Sequence, residues 1–193
     1  MNTHLETQNL AQVLENLQKK KKLSFEDVCD LLFTFKLEDF EELFHISSVE
    51  VPAETFVRIP VFQGEYISFL KVWDPKNYST IRDHSNYDSK VKVLKGSLTE
   101  VNYRENTNFI EYDLRATHRA GDIFVEEQND INSIVNNSEE ISVSLHIYRT
   151  SKSNLEGVRI FNTEKREIGY LSKDAKSCTW NLPENAFQKI TKV

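Results

Sequence analysis

The sequence is poor in the residues that usually announce a chemistry: two cysteines, five glycines, four prolines and one methionine among 193 residues. Cys29, in a helix-like segment, and Cys178, near the C-terminus, make neither a CxxC pair nor a disulfide framework, so a reducing cytoplasm is expected. No apolar run approaches the length that spans a bilayer, and the opening MNTHLETQNL lacks the basic start and apolar stretch of a signal peptide. Positive charge is not in excess. Twenty-four Lys plus Arg stand against 30 Asp plus Glu, a net charge of −6, without the basic face that a phosphate backbone requires. Serine-hydrolase, P-loop, Rossmann and zinc-finger signatures are absent. A cytoplasmic monomer that engages neither nucleic acid nor membrane is the expectation.

What the chain does hold is aromatic and strand-like. Twelve Phe and seven Tyr suit pleated, half-buried surfaces. The length allows one well-buried domain, divided here into a helical head over residues 1–48, a β-rich body over 49–172 and a tail over 173–193. In the head, Leu10, Val13, Leu14 and Leu17 follow the spacing of one helix face, as do Val28, Leu31, Leu32 and Phe35. Ser24 offers an N-cap with Asp27 at N3, and Leu37, Phe40, Leu43 and Phe44 make a third segment. The basic run Lys19 to Lys22 reads as a solvated helix end.

After Pro52 the pattern becomes short strands: Glu54–Val61, Tyr66–Trp73, Lys90–Leu94, Ser97–Tyr103, Phe109–Leu114, Asp122–Glu126, Ile141–Arg149 and Gly157–Phe161. No ten-residue helical pattern separates them. Successive strands without crossover helices predict an antiparallel sandwich or small barrel, covered on one side by the helical head. In the tail, Trp180, Leu182 and Phe187 suggest packing.

Three strand segments carry polar chemistry. In Ile141-Ser-Val-Ser-Leu-His-Ile-Tyr148, alternation puts Ser144, His146 and Tyr148 on one face and Val143, Leu145 and Ile147 on the other. Ser144 can then orient His146, and His146 can polarise the Tyr148 hydroxyl as a proton donor; a solvated strand face is the equal alternative. In Thr80-Ile-Arg-Asp-His-Ser85, Arg82 and His84 share a face. In Phe56-Val-Arg58 an arginine interrupts an apolar strand, where it either points to water or meets an anion. His118 is expected in a loop.

Together these clusters, with Lys92-Val-Leu-Lys-Gly96, resemble the cysteine dioxygenase family of thiol dioxygenases over roughly Leu10 to Phe161. That resemblance implies a cupin, a small antiparallel β-barrel of jelly-roll type preceded by short helices. It implies a Ser144-His146-Tyr148 triad reaching the active site, and a substrate-carboxylate grip at Arg58, with Phe56 where the family often has Tyr. It also implies Fe(II) on three histidines, and here the sequence departs from the pattern. The first ligand position is Arg82, the second is His84 and the third, in Ser133-Ile-Val-Asn-Asn137, is Ser133. Ser89 stands where a crosslinking Cys or a Glu ligand would fall. One imidazole cannot hold iron against water and a guanidinium does not coordinate, while Asp83 alternates away from His84 and Asp88 would need a bent loop.

Three readings follow. The first is a cupin with a degenerate metal site and no cofactor, binding or transforming a small carboxylate- or thiol-bearing molecule, with Arg58 and Arg82 as two mutually repelling cations that an anion would relieve. The second is an active Fe(II)-dependent thiol dioxygenase with non-standard ligands. The third is a non-catalytic interaction module, for which arginines paired to carboxylates and a closed cavity would speak.

Overall fold

The chain's alternating strands fold as two antiparallel sheets, seen in a computed structural model that describes residues 9–19, 23–52, 55–150 and 154–193. The head comes first: α1 (Leu10–Lys19), α2 (Phe25–Leu32) and α3 (Leu37–Phe44). α1 buries Leu10, Val13, Leu14 and Leu17, the four positions its spacing marks. α2 starts at Ser24, whose hydroxyl accepts from the Asp27 backbone while the Asp27 carboxylate accepts from the Ser24 backbone, a reciprocal capping box. α3 stops where His45 takes a left-handed conformation, φ 50°. Glu54 and Lys20 to Lys22, parts of two predicted segments, lie outside the described residues. Among the described residues no helix is long and apolar enough to cross a membrane.

The strands are β1 (Phe56–Gln63), β2 (Ile67–Trp73), β3 (Ile81–Asp83), β4 (Tyr87–Lys95), β5 (Ser97–Glu105), β6 (Ile110–Arg119), β7 (Ile123–Glu126), β8 (Ile131–Val135), β9 (Ser142–Thr150), β10 (Arg159–Asn162), β11 (Glu167–Leu171) and β12 (Phe187–Lys192). One sheet runs β1-β2-β9-β4-β7, the other β12-β11-β10-β3-β8-β5-β6, and every pairing is antiparallel. The antiparallel barrel expected from the sequence is therefore present. His118 is placed in β6, stacked on Phe124 at 4.2 Å between ring centres, and not in a loop. β6 reads as polar because most of its side chains face water.

The smaller sheet has two unlike faces. Register pairs Leu70 with Leu145 and Val72 with Val143, and these side chains, with Ile147, pack against Leu14, Leu17, Val28, Leu32 and Phe40 of the head. Each fully buried Leu or Ile there contributes about 2 kcal/mol. The opposite face looks into the barrel. Trp73, Val91, Val93, Leu98, Phe124 and Ile134 fill one end of that interior as an apolar plug. Polar groups occupy the other end.

β4 crosses to the second sheet through Gly96, whose φ of +73° is available to glycine at little cost. A Cβ there would lie 3.2 Å from Ser142 Cα, against a serine whose hydroxyl donates to the Ser97 carbonyl and accepts from the Ser97 amide. Gly96→Ala should therefore cost on the order of 2 kcal/mol in urea unfolding, from left-handed strain plus the displaced serine. An unchanged midpoint would show that the turn relaxes freely.

β10 to β12 extend the larger sheet, with Leu182, Trp180 and Phe187 packed onto Val158, Ile160 and Leu171. The stretch between β11 and β12 runs across the mouth of the barrel, where Lys173, Lys176 and Cys178 border its cavity.

Candidate functional site

The inward face of β9 carries a continuous hydrogen-bonded strip. Trp73 Nε1 donates to Ser144 Oγ at 2.9 Å, Ser144 Oγ lies 2.8 Å from His146 Nε2, and the Tyr148 hydroxyl lies 3.3 Å from His146 Nδ1. Ser144 and His146 are fully buried, so the strip is interior and the solvated-face alternative is removed. Burial, with Lys71 next, pushes His146 well below the usual histidine range and keeps it neutral. The network is satisfied when Ser144 donates to Nε2 and Nδ1–H donates to the Tyr148 oxygen. Tyr148 then keeps its own proton free for the cavity, and burial raises its pKa well above the ordinary phenol value, so it is a donor and not a phenolate.

Across the barrel, β3 delivers Arg82, 5% exposed, onto a carboxylate that the sequence reading did not single out. Arg82 Nη2 donates to Glu126 Oε1 at 3.1 Å, Nη1 to Ser79 Oγ at 3.0 Å and Nε to the Tyr87 hydroxyl at 3.2 Å. Glu126, fully buried, also accepts from Ser89 and, at 3.2 Å, from Asn132. Burial alone would raise its pKa; the groups around it, His84 first and Arg82 next, outweigh burial and hold the carboxyl far below the usual range. Ser89 and Glu126 meet because they are register partners on β4 and β7.

His84, the single residue matching a ligand position of the resemblance, sits beside this pair. Its Nε2 is 3.8 Å from Glu126 Oε1, too long for a hydrogen bond, and its ring stacks on Tyr87 at 4.7 Å. Among the described residues neither ring nitrogen has a hydrogen-bond partner, and burial lowers its pKa to about 4. Ser133, at the third ligand position, donates to the Ser79 carbonyl at 2.6 Å. Asp83 turns away to Arg159 at 2.6 Å, and Asp88 pairs with Arg149. Among the described residues no group of three or more His, Cys, Asp or Glu side chains is placed to hold a metal.

Between the two clusters lies a cavity of about 520 Å³, bordered by Phe56, Arg58, Lys71, Arg82, Tyr87 and Tyr148 from the barrel. With Lys173 and Lys176, five cationic side chains line it among the described residues, and no Asp or Glu of those residues does. The expectation of two unpaired arginines needs correction. Arg82 is neutralised by Glu126, and Arg58 is exposed at the rim, its Nη2 donating to the Lys176 carbonyl at 3.3 Å and its guanidinium 5.7 Å from the Phe69 ring centre. Among the described residues the buried cation with no hydrogen bond or ion pair is Lys71, 4% exposed. It is enclosed by the rings of Phe56, Trp73 and Tyr148 at 5.1, 5.6 and 5.7 Å, and burial, followed by the charge of Arg82, lowers its pKa to about 7.

Phe56, Arg58, Arg82 and Tyr148 thus line one cavity, while Ser144, His146, His84 and Ser133 are not among its lining residues. Glu126, Lys71, Tyr87 and the stretch after β11 are the additions. Lys71 left a signal of the kind Arg58 gave, a cation inside the apolar alternation Phe69, Lys71, Trp73. Glu126 follows Phe124 on the buried side of its strand.

The comparisons with known proteins agree with this architecture. A sugar phosphate isomerase from a cupin superfamily, from Silicibacter pomeroyi, superposes with TM-score 0.50 at 13% identity, covering 76% of this chain and 90% of that one. A Klebsiella pneumoniae protein with a double-stranded β-helix domain gives 0.47 at 14% identity, covering 63% and 97%. A Thermus thermophilus protein gives 0.47 at 18%, covering 60% and 98%. At 13% identity the Silicibacter pomeroyi match speaks for the fold alone. No curated protein matches the sequence. The profile of one family, described as cysteine dioxygenase type I, matches residues 2–162, and on that match this cupin-fold chain belongs to the cysteine dioxygenase type I family.

Proposed function

We propose that the barrel cavity binds a small carboxylate-bearing molecule without a three-histidine iron centre. The observation that carries this reading is the charge of the wall: among the described residues, five Lys or Arg side chains and no carboxylate line the cavity of a protein whose net charge is −6. Arg58 and Lys71 are directly opposite on β1 and β2, and like charges in that register are destabilising unless an anion lies between them. A carboxylate held by Arg58 would satisfy both cations, with the protonated Tyr148 hydroxyl available to donate to it.

The donors present do not suit Fe(II). One neutral imidazole stands beside a guanidinium, and the nearest carboxylate is already occupied by that guanidinium, a charge arrangement that substitutes for a metal and would repel one. The Arg82–Glu126 pair satisfies half of what an inert scaffold would show. The open cavity, and a Lys71 that no ion pair reaches among the described residues, favour ligand binding instead.

Calorimetric titration with short-chain carboxylates tests the reading. Binding unaffected by chelator is expected, weakening as salt rises, and Arg58→Ala should reduce affinity about tenfold or more, the size of a lost charge-assisted hydrogen bond. No heat across an acid panel would remove it. Arg58 is the informative variant because it is exposed, whereas truncating the buried Arg82 strands Glu126.

A further inference from the structure

We propose that Lys71 is a carbonyl-capturing residue, whose amine condenses with the carbonyl carbon of a small oxo-acid held through its carboxylate by Arg58, giving an imine and releasing water. The inference rests on the carboxylate-binding reading and narrows it to acids that carry a carbonyl beside the carboxylate.

The geometry is unusual for a structural lysine. Lysines are almost never fully buried unless paired. Lys92, partly buried on β4, shows the ordinary solution: its ammonium donates to the Phe33 and Phe35 carbonyls. Lys71 is more deeply buried, and among the described residues no hydrogen bond or ion pair reaches its Nζ, which borders the cavity. The groups facing it are Phe56 and Arg58 from β1, Ser144, His146 and Tyr148 from β9, Arg82 and His84 around β3, Glu126 from β7 and Cys178 from the stretch before β12. The one carboxylate in that set is committed to Arg82. Low dielectric and two nearby guanidinium groups disfavour the ammonium, and three aromatic faces offset only part of that cost. A pKa near 7 follows, leaving a much larger fraction of Lys71 as free amine at neutral pH than of a surface lysine.

The positions fit the chemistry. Arg58 and Lys71 are cross-strand partners, so a carboxylate at the guanidinium sets an adjacent carbonyl carbon toward Nζ. The amine lone pair forms the C–N bond as the carbonyl π bond opens, and one N–H proton reaches the new hydroxyl by way of Tyr148. That hydroxyl then leaves as water with the second N–H proton, and the C=N bond forms. Nothing is oxidised or reduced.

The test uses the full chain, pyruvate as probe and cyanoborohydride to reduce any imine to a stable secondary amine, followed by peptide mass mapping. Lys71 should gain one pyruvate less one oxygen atom at least about tenfold faster than the exposed lysines, the direction its larger free-amine fraction dictates. Propionate, which has the carboxylate and no carbonyl, should slow that labelling in proportion to its occupancy, and Lys71→Arg should abolish it at this site. An unmodified Lys71 among labelled surface lysines overturns the proposal, as does labelling indifferent to propionate. Propionate titrated alone separates the two readings: if it binds while Lys71 stays unmodified, the imine falls and the carboxylate pocket stands.

Discussion

Glu126→Leu should destabilise the protein by about 3–5 kcal/mol, read as a lower midpoint in urea unfolding, because it leaves a buried guanidinium without its counter-charge. Arg82 is 5% exposed and would retain only the Ser79 and Tyr87 hydroxyls, while Ser89 and Asn132 would lose an acceptor. The double variant Arg82→Met, Glu126→Leu removes both charges and should recover most of the loss, since apolar residues of similar volume replace a desolvated pair at little net cost. A Glu126→Leu change below about 1 kcal/mol would mean that Arg82 reaches another anion or water, and that the pair does not fix this side of the cavity.

Acid should weaken the protein well before its carboxylates titrate. His84 and His146 are buried and neutral, with pKa values lowered to about 4 for His84 and well below normal for His146. In the unfolded chain both bind a proton below about 6.5, so from there down to the folded values the unfolded state carries more protons. Stability therefore rises with pH across that window and is lost as pH falls through it, at about 1.4 kcal/mol per unit for each histidine. His84 alone, with its folded value near 4, accounts for about 3 kcal/mol between pH 6.5 and 4. Glu126, held far below its ordinary range, adds its loss at lower pH, beneath the unfolded carboxylate value of about 4.3. Thermal midpoints between pH 7 and 4 should fall steeply in the wild type and less steeply in His84→Gln. A flat profile over that range would contradict the burial of neutral imidazoles.

The relay on β9 was legible because its two faces differ in chemistry. Ser144, His146 and Tyr148 alternate strictly with Val143, Leu145 and Ile147, and the structure gives one set to the cavity side and the other to the helical head. Composition could not say that both faces are buried. Strands that miss the pattern were harder to see: β3 has three residues, and β8, Ile131–Val135, carries the buried polar pair Asn132 and Ser133 where a strand of this kind is usually apolar. Glu126 escaped because an acid on a four-residue strand reads as surface, and only the fold brings it to an arginine 44 residues earlier in the chain. Lys71 and the cavity's border after β11 are likewise consequences of register and chain path. The departures at Arg82 and Ser133 from the three-histidine pattern were visible residue by residue. The Arg82–Glu126 pair was not visible, because a charge pair is a property of two distant strands.

The central claim is that this family member uses its cavity for a carboxylate with no three-histidine iron, and metal stoichiometry after reconstitution tests it most directly. The full chain is incubated anaerobically with Fe(II), desalted, assayed for iron and titrated with a short carboxylate with and without chelator. Iron far below one per chain is predicted, with carboxylate binding the same in both titrations. One tightly held iron per chain, with cysteine-dependent O2 uptake that chelator abolishes, would contradict it.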